Sequence, residues 1–334
     1  MAKVSATWTR LASSARLQRS SQCLSVLLLP RQPVDNQLDV INLDPAQEPD
    51  ADAAVATTTL AAPANAPAPR VGAATAVLKD SFYMFSGRGG ISMLPIEENG
   101  AVWSYTPSQS AWDRIAPADP PSAPHPAGRS YHAMTSDGRD TLYVHAGCPH
   151  EGRLADLWSF SVGSKTWAEL PAAPLPARGG TSIAVSGDSL YRMNGFDGKT
   201  EQGGKLDVYN LQTRSWSSIS YNPDGREGPE PRSVSSLSAV NIKGSEYLVT
   251  MFGERDPSSL GHAGAGKMLA DVWVFDIENE KWAKVEPTGE APAPRGWFDT
   301  DVMYSQSGDC SIIVHGGLAE DNSRLGDVWK LQFA

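Results

Sequence analysis

Cysteine is scarce in this chain: three residues, Cys23, Cys148 and Cys310, in 334. They lie far apart, form an odd set and match no metal-ligand spacing, which argues against a disulfide framework or a zinc site and fits a reducing compartment. Long apolar runs are missing as well. No stretch reaches the roughly 18 consecutive apolar residues of a membrane helix, and the segment from Leu24 to Leu29 is too short. The N-terminus has no apolar stretch followed by a cleavage site. The expectation is a soluble, cytoplasmic protein with no membrane partner. Positive charge is outnumbered, 28 Lys+Arg against 38 Asp+Glu for a net charge of -10, and no basic face is clustered; nucleic acid is therefore not an expected partner. No Ser-His-Asp order, zinc spacing or nucleotide loop stands out. Gly87-Arg-Gly-Gly90 is a lone glycine cluster without the following helix that a phosphate loop needs.

What is abundant is glycine (30), proline (25) and tryptophan (10), a composition of turns and short strands. The tryptophans fall at a regular spacing. Ala111-Trp112, Thr166-Trp167, Ser215-Trp216 and Lys281-Trp282 each end a unit, and Thr7-Trp8 matches them at the start of the chain. Each unit continues with a Pro/Ala-rich turn, an arginine, a small-residue strand, a strand ending in glycine, a loop, and a third strand such as Asp271-Val-Trp-Val-Phe275. The arginines are Arg70, Arg129, Arg178, Arg232 and Arg295, with Arg19 a weaker sixth. The glycines are Gly87, Gly147, Gly195, Gly253 and the pair Gly316-Gly317.

These residues resemble the kelch repeat, whose unit of about 50 residues is one four-stranded propeller blade. The resemblance implies an all-β fold: one six-bladed kelch β-propeller over 1–334, closed by the N-terminal strand around Trp8, which completes the last blade. The first blade is degenerate. Its traces are Arg19 to Val26 and Asn36 to Leu43, with no second strand and glycine pair between Leu27 and Pro33. The stretch 44–69, rich in Ala and Pro, is expected to be a flexible linker between blades.

The loop from Phe252 to Met268 stands out because Glu254, Asp256 and His262 are gathered among glycines and one proline. Together with Pro294-Arg-Gly-Trp297 and His315-Gly-Gly317, it is similar to the specifier proteins of glucosinolate breakdown. Their pattern is Glu-x-x-x-Asp-x-x-x-His before a glycine-rich turn. That resemblance implies an Fe(II) site at Glu254 and His262, with Asp256 or Ser258 as third ligand, because Ser258 stands where the family has Asp. Two carboxylates and a histidine make a facial set with open positions for substrate. The reading that follows is an Fe(II)-dependent lyase or isomerase step in secondary metabolism on a small polar or anionic substrate. Glu254, Arg129 and Arg295 would carry the chemistry, and Arg70, Arg178, Arg232 and Trp297 would line the substrate pocket. The alternatives are a non-catalytic module that binds a protein partner through its loop face, a loop in which Asp256-Pro257 merely starts a turn, and arginines that tie blade to blade. His132, His145 and His315 are expected to be core or inter-blade residues.

Overall fold

The computed structural model describes residues 4–13, 17, 36–41, 57–258, 264–305 and 307–334. Among the described residues, five antiparallel four-stranded sheets carry the fold, each opened by one of the five arginines. The sheet of Arg70 runs Ala74–Leu78, Ser81–Phe85, Val102–Thr106 and Ala111–Ile115, and those of Arg129, Arg178 and Arg232 repeat that order. The Arg295 sheet takes three strands, Asp299–Tyr304, Cys310–His315 and Asp327–Phe333, from the end of the chain. Its fourth, Ala6–Ser13, comes from the start and pairs antiparallel with Asp327–Phe333. Sequential antiparallel sheets, each beginning at an inner strand, give the kelch β-propeller arrangement.

The first strands of the five sheets touch one another in chain order and line a common axis. The core lies between sheets rather than inside any one of them. Tyr83, Phe85 and Val102 pack against Met134, Val144, Trp158 and Trp167 of the next sheet. At the other end Val249 and Met251 share a cluster with Ile312, Trp329 and Trp8. Strand alternation explains this: side chains of period two face opposite neighbours, so each sheet contributes an apolar surface to both. Trp8 is 4% exposed, stacks on Phe252 at 5.8 Å and meets Trp329 edge-on at 6.5 Å.

The arginine of each unit explains the spacing of the Asp-x-Trp signature. Arg232 donates from Nη1 and Nη2 to the two carboxylate oxygens of Asp271 at 2.6 and 2.9 Å, while the Trp273 indole donates to the same carboxylate at 2.6 Å. Residues i and i+2 of a strand share a face, so the aspartate and tryptophan reach one another. The same unit recurs as Arg129–Asp156–Trp158 and Arg295–Asp327–Trp329. Arg70 uses Glu98 with Trp103. Each of these arginines also donates Nη1 to a carbonyl at the end of its own second strand: Ser86, Ala146, Phe252 or Gly316.

The Arg178 sheet departs from this plan. Lys205 stands four residues before Tyr209, where Asp271 stands before Phe275, and Asp207 occupies the tryptophan position. Asp207 therefore pairs with Arg192 at 2.8 Å, both side chains buried, and among the described residues Arg178 binds the carbonyls of Pro176 and Asn194. Burial first, and the neighbouring Arg178 charge next, pull Arg192 down to about 10.

Neighbouring sheets are also joined through their backbones. The glycine ending each second strand donates to the carbonyl of the next unit's arginine: Gly87 to Arg129, Gly147 to Arg178, Gly195 to Arg232 and Gly253 to Arg295, at 2.8 to 2.9 Å. A Cβ on Gly147, at φ +99, would lie 2.9 Å from the His132 Cα, so glycine is required there. Nearer the axis, Tyr131, Gly180, Val234 and Trp297 each donate N–H to the carbonyl of the equivalent residue one sheet back, beginning at Gly72, at 2.7 to 3.1 Å. All five have φ between +48 and +60.

One expectation changes. Part of 44–69 is not linker: Thr57–Leu60 pairs with Leu38–Ile41 as a hairpin, and Leu38, Leu60 and Ala66 pack against the cluster of Met84, Trp103 and Trp112. Apolar residues at the ends of the low-complexity stretch have a sheet to cover. The proposed first strand of the degenerate blade, Arg19 to Val26, and residues 44–56 lie outside the described residues.

Candidate functional site at the mouth of the axis

The loop 253–268 is less irregular than its composition suggests. It leaves and returns as a two-stranded ribbon, Glu254–Arg255 against Lys267–Met268. Glu254 also exchanges backbone hydrogen bonds with Ser233 at 2.9 Å. Ser233 precedes Val234, so the base of the loop is seated beside the axial ring. The Glu254 side chain is 7% exposed, and its Oε1 accepts the Gly266 N–H at 2.6 Å. A Cβ on Gly266 would come within 2.8 Å of that oxygen, so the glycine-rich turn closes directly on the carboxylate.

The other expected ligands are placed differently. Asp256 has φ +50 and a side chain 75% exposed, with Arg255 Nε at 3.6 Å. Ser258 is half-buried, and His262 lies outside the described residues. Among the described residues no three of His, Cys, Asp and Glu are close enough to hold a metal. For a metal, the described part of the loop supplies one buried carboxylate, Glu254, and a solvent-facing second, Asp256. A nearby carboxylate was missed: Glu201, from the loop of the Arg178 sheet. Among the described residues its Oε1 is buried without a hydrogen-bond partner, and burial, opposed by its own backbone N–H and aided by the charges of Asp256 and Asp197, pushes its carboxyl up.

The arginines do not converge on the axis. Arg70, Arg129, Arg232 and Arg295 are at most 1% exposed and Arg178 is 7% exposed, and none lines the axial chamber. Arg129 and Arg295, the expected catalytic pair, are committed to Asp156 and Asp327. The substrate-binding expectation for Arg70, Arg178 and Arg232 meets the same obstacle, since their guanidinium groups are enclosed by their own sheets. Burying a guanidinium is tolerated only with its donors matched, and a bidentate carboxylate does that. In Asp271 and Asp327 burial alone pushes the carboxyl up; the hydrogen bonds and charge of the paired arginine outweigh it and hold it low.

The cations at the mouth are others. Arg88 donates Nε to Ser130 Oγ at 2.8 Å and lies 5.3 Å above the Tyr131 ring. Among the described residues Arg153 Nε is buried without a hydrogen-bond partner. Both lie near Cys148, whose thiol burial pushes up while Arg153 and Arg88 pull it down. The signal for Arg88 was present in Gly87-Arg-Gly-Gly90, where the glycines drew attention from the arginine.

Trp297 lines the axial chamber, and Tyr131 is a second aromatic at the equivalent position three units away. His132 is edge-on to Phe85 and His145 lies 6.2 Å from Trp216, each on a neighbouring sheet, while His145 also binds the Asp156 carbonyl of its own sheet at 2.7 Å and His315 reaches the Leu17 carbonyl.

A family model described as the KLHDC2/KLHL20/DRC7 Kelch-repeats domain matches residues 32–253, more than half of the chain. The chain belongs to the kelch-repeat family. Among curated relatives of this kelch chain is N-(sulfonatooxy)prop-2-enimidothioate sulfolyase of Thlaspi arvense, 25% identical over 80% of the chain and 79% of the relative. A leucine-zipper-like transcriptional regulator 1 homolog of Drosophila melanogaster is 24% identical over 80% of the chain but only 26% of its own length. Kelch domain-containing protein 10 of Bos taurus is 24% identical over 57% of the chain and 41% of its length. No helix among the described residues is long and apolar enough to cross a membrane.

Proposed function

We propose that this kelch protein acts on a small anionic metabolite at the loop face, as a specifier-like lyase or isomerase. The observation that carries the reading is the burial of the Glu254 carboxylate beside the mouth of the axial chamber, closed over by Gly266. A desolvated carboxylate on a loop that closes over it favours a cation beside it. Likeness to a sulfolyase over most of both chains supports the same reading. The substrate class follows from that relative: an N-(sulfonatooxy)imidothioate, with Arg88 and Arg153 facing its sulfate and Trp297 and Tyr131 its apolar side chain.

Fe(II), when bound, supplies Lewis acidity toward the leaving group without redox change. Glu254 and His262 would hold it, with Asp256 or Ser258 as third ligand. Asp256 suits that role by donor type, since carboxylate binds Fe(II) better than a hydroxyl, and turning its exposed side chain inward is the rearrangement required. The chain's own contribution is orientation: the Arg88 cation is fixed over Tyr131, and the Glu254 carboxylate is fixed by its ribbon.

The test combines anaerobic Fe(II) titration with turnover of an allyl N-(sulfonatooxy)imidothioate. Saturable Fe(II) uptake that disappears in Glu254→Gln, together with release of sulfate, is expected. Sulfate release unchanged in Glu254→Gln, or no uptake by the unmodified protein, overturns the proposal.

A further inference from the structure

Four of the repeat arginines are matched by a carboxylate in the same way, and Arg178 is not. Arg70, Arg129, Arg232 and Arg295 each donate Nε to the carbonyl two residues back and Nη1 to the carbonyl at the end of the second strand. Those two bonds fix the plane of the guanidinium. Its outer edge then meets both oxygens of one carboxylate, with Nη2 at 2.8 to 3.2 Å. Arg178 makes the same two backbone bonds, Nε to the Pro176 carbonyl and Nη1 to the Asn194 carbonyl, both at 3.1 Å. Its plane is therefore set as in the other four units, with the outer edge in the equivalent place.

What stands at that edge differs. Lys205 replaces the aspartate and is exposed. Asp207 is committed elsewhere: its Oδ2 accepts from Arg192 Nη1 at 2.8 Å and its Oδ1 from Ser218 Oγ at 2.6 Å. Asp197, whose charge also acts on Arg178, accepts from the backbone of its own loop and from Gln202. Two buried guanidinium groups, Arg178 and Arg192, thus share one buried carboxylate, Asp207. One enclosed positive charge is left without a hydrogen-bonded counterion, which a protein interior disfavours.

The vacated place opens to solvent. In the other four units the carboxylate that fills it is 13 to 20% exposed. Arg178 is 7% exposed where the other four are at most 1%, as expected when the group covering its outer edge is missing. Among the described residues no carboxylate reaches its Nη2.

We infer that the outer edge of Arg178 binds a small carboxylate from solution, in the place that the chain's own carboxylate fills in the other four units. A planar anion with two oxygens matches the guanidinium fork through two charge-assisted hydrogen bonds, whereas a spherical ion such as chloride matches neither its shape nor its spacing. The site uses none of the residues that carry the proposed reaction, and Arg178 does not line the axial chamber.

Thermal melting of the metal-free protein in sodium formate, against sodium chloride at equal ionic strength, tests this. Formate should raise the melting temperature saturably, by about 2 °C at ten times the half-saturating concentration, and chloride should not. The signal of carbon-labelled formate should broaden in the presence of the protein. Lys205→Asp supplies the carboxylate from the chain, as in the other units, and should abolish both responses while its own cooperative melt shows that it is folded. Arg88 and Arg153 are untouched in that variant, so a formate response that persists in it belongs to the mouth and overturns the proposal. An equal response to chloride, or no saturable response to formate in the unmodified protein, overturns it as well.

Discussion

At the scale of the residue, the blade arginine is the most informative side chain in the molecule. Arg232 is fully buried, yet its guanidinium meets both Asp271 oxygens and the Phe252 carbonyl. Removing one partner from such a pair leaves an uncompensated buried charge and costs about 3–5 kcal/mol. Arg232→Ala should therefore lower the urea midpoint strongly. Arg232→Lys should recover only part of the loss, because an ammonium cannot form the planar fork. The same substitution at Arg178, which has no carboxylate partner among the described residues, should cost less. A smaller effect of Arg232→Ala than of Arg178→Ala, by chemical denaturation, would contradict this account.

At the scale of the element, the N-terminal strand Ala6–Ser13 is the outer partner of Asp327–Phe333. Trp8 fills the space between Phe252 and Trp329. Trp8→Ala should destabilise by about 3–5 kcal/mol, as large aromatic truncations in cores do. Differential scanning calorimetry should show the whole transition moved rather than a separate early one. Strands were legible because alternation and Asp-x-Trp spacing are local patterns. Arg178 exposes the limit of that reading. Leu206-Asp-Val-Tyr209 looks like the usual signature, but its aspartate is two places late, and only the pairing of Asp207 with Arg192 reveals it. The site was less legible for the same reason. Charge at the mouth depends on which arginines find carboxylates, a matter of three-dimensional pairing that sequence position alone does not give. Arginines at the repeat position were absorbed by the fold, while Arg88 and Arg153, at irregular loop positions, remained near the mouth.

At the scale of the whole molecule, stability answers to two opposed sets of carboxylates. Asp271 and Asp327 are held low by arginine, so their contribution is present above the unfolded carboxyl value of about 4 and lost as pH falls through their folded values. Asp299 is raised to about 6, so its effect has the other sign: it favours the fold at low pH and loses that advantage as pH rises through about 6. Asp299→Asn should melt higher than the unmodified protein above pH 6, with the gap narrowing to nothing as pH falls toward about 4. A gap that widens on acidification would show the sign to be wrong. The backbone ring from Gly72 to Trp297 bears on something else. Its last link spans the unit carrying the long 253–268 loop, the longest stretch of chain between ring members, yet Trp297 still reaches Val234 at 3.1 Å. The aperture is consequently indifferent to how much chain hangs above it. Loops at the rim can be lengthened, shortened or exchanged as cassettes while the frame keeps its bore.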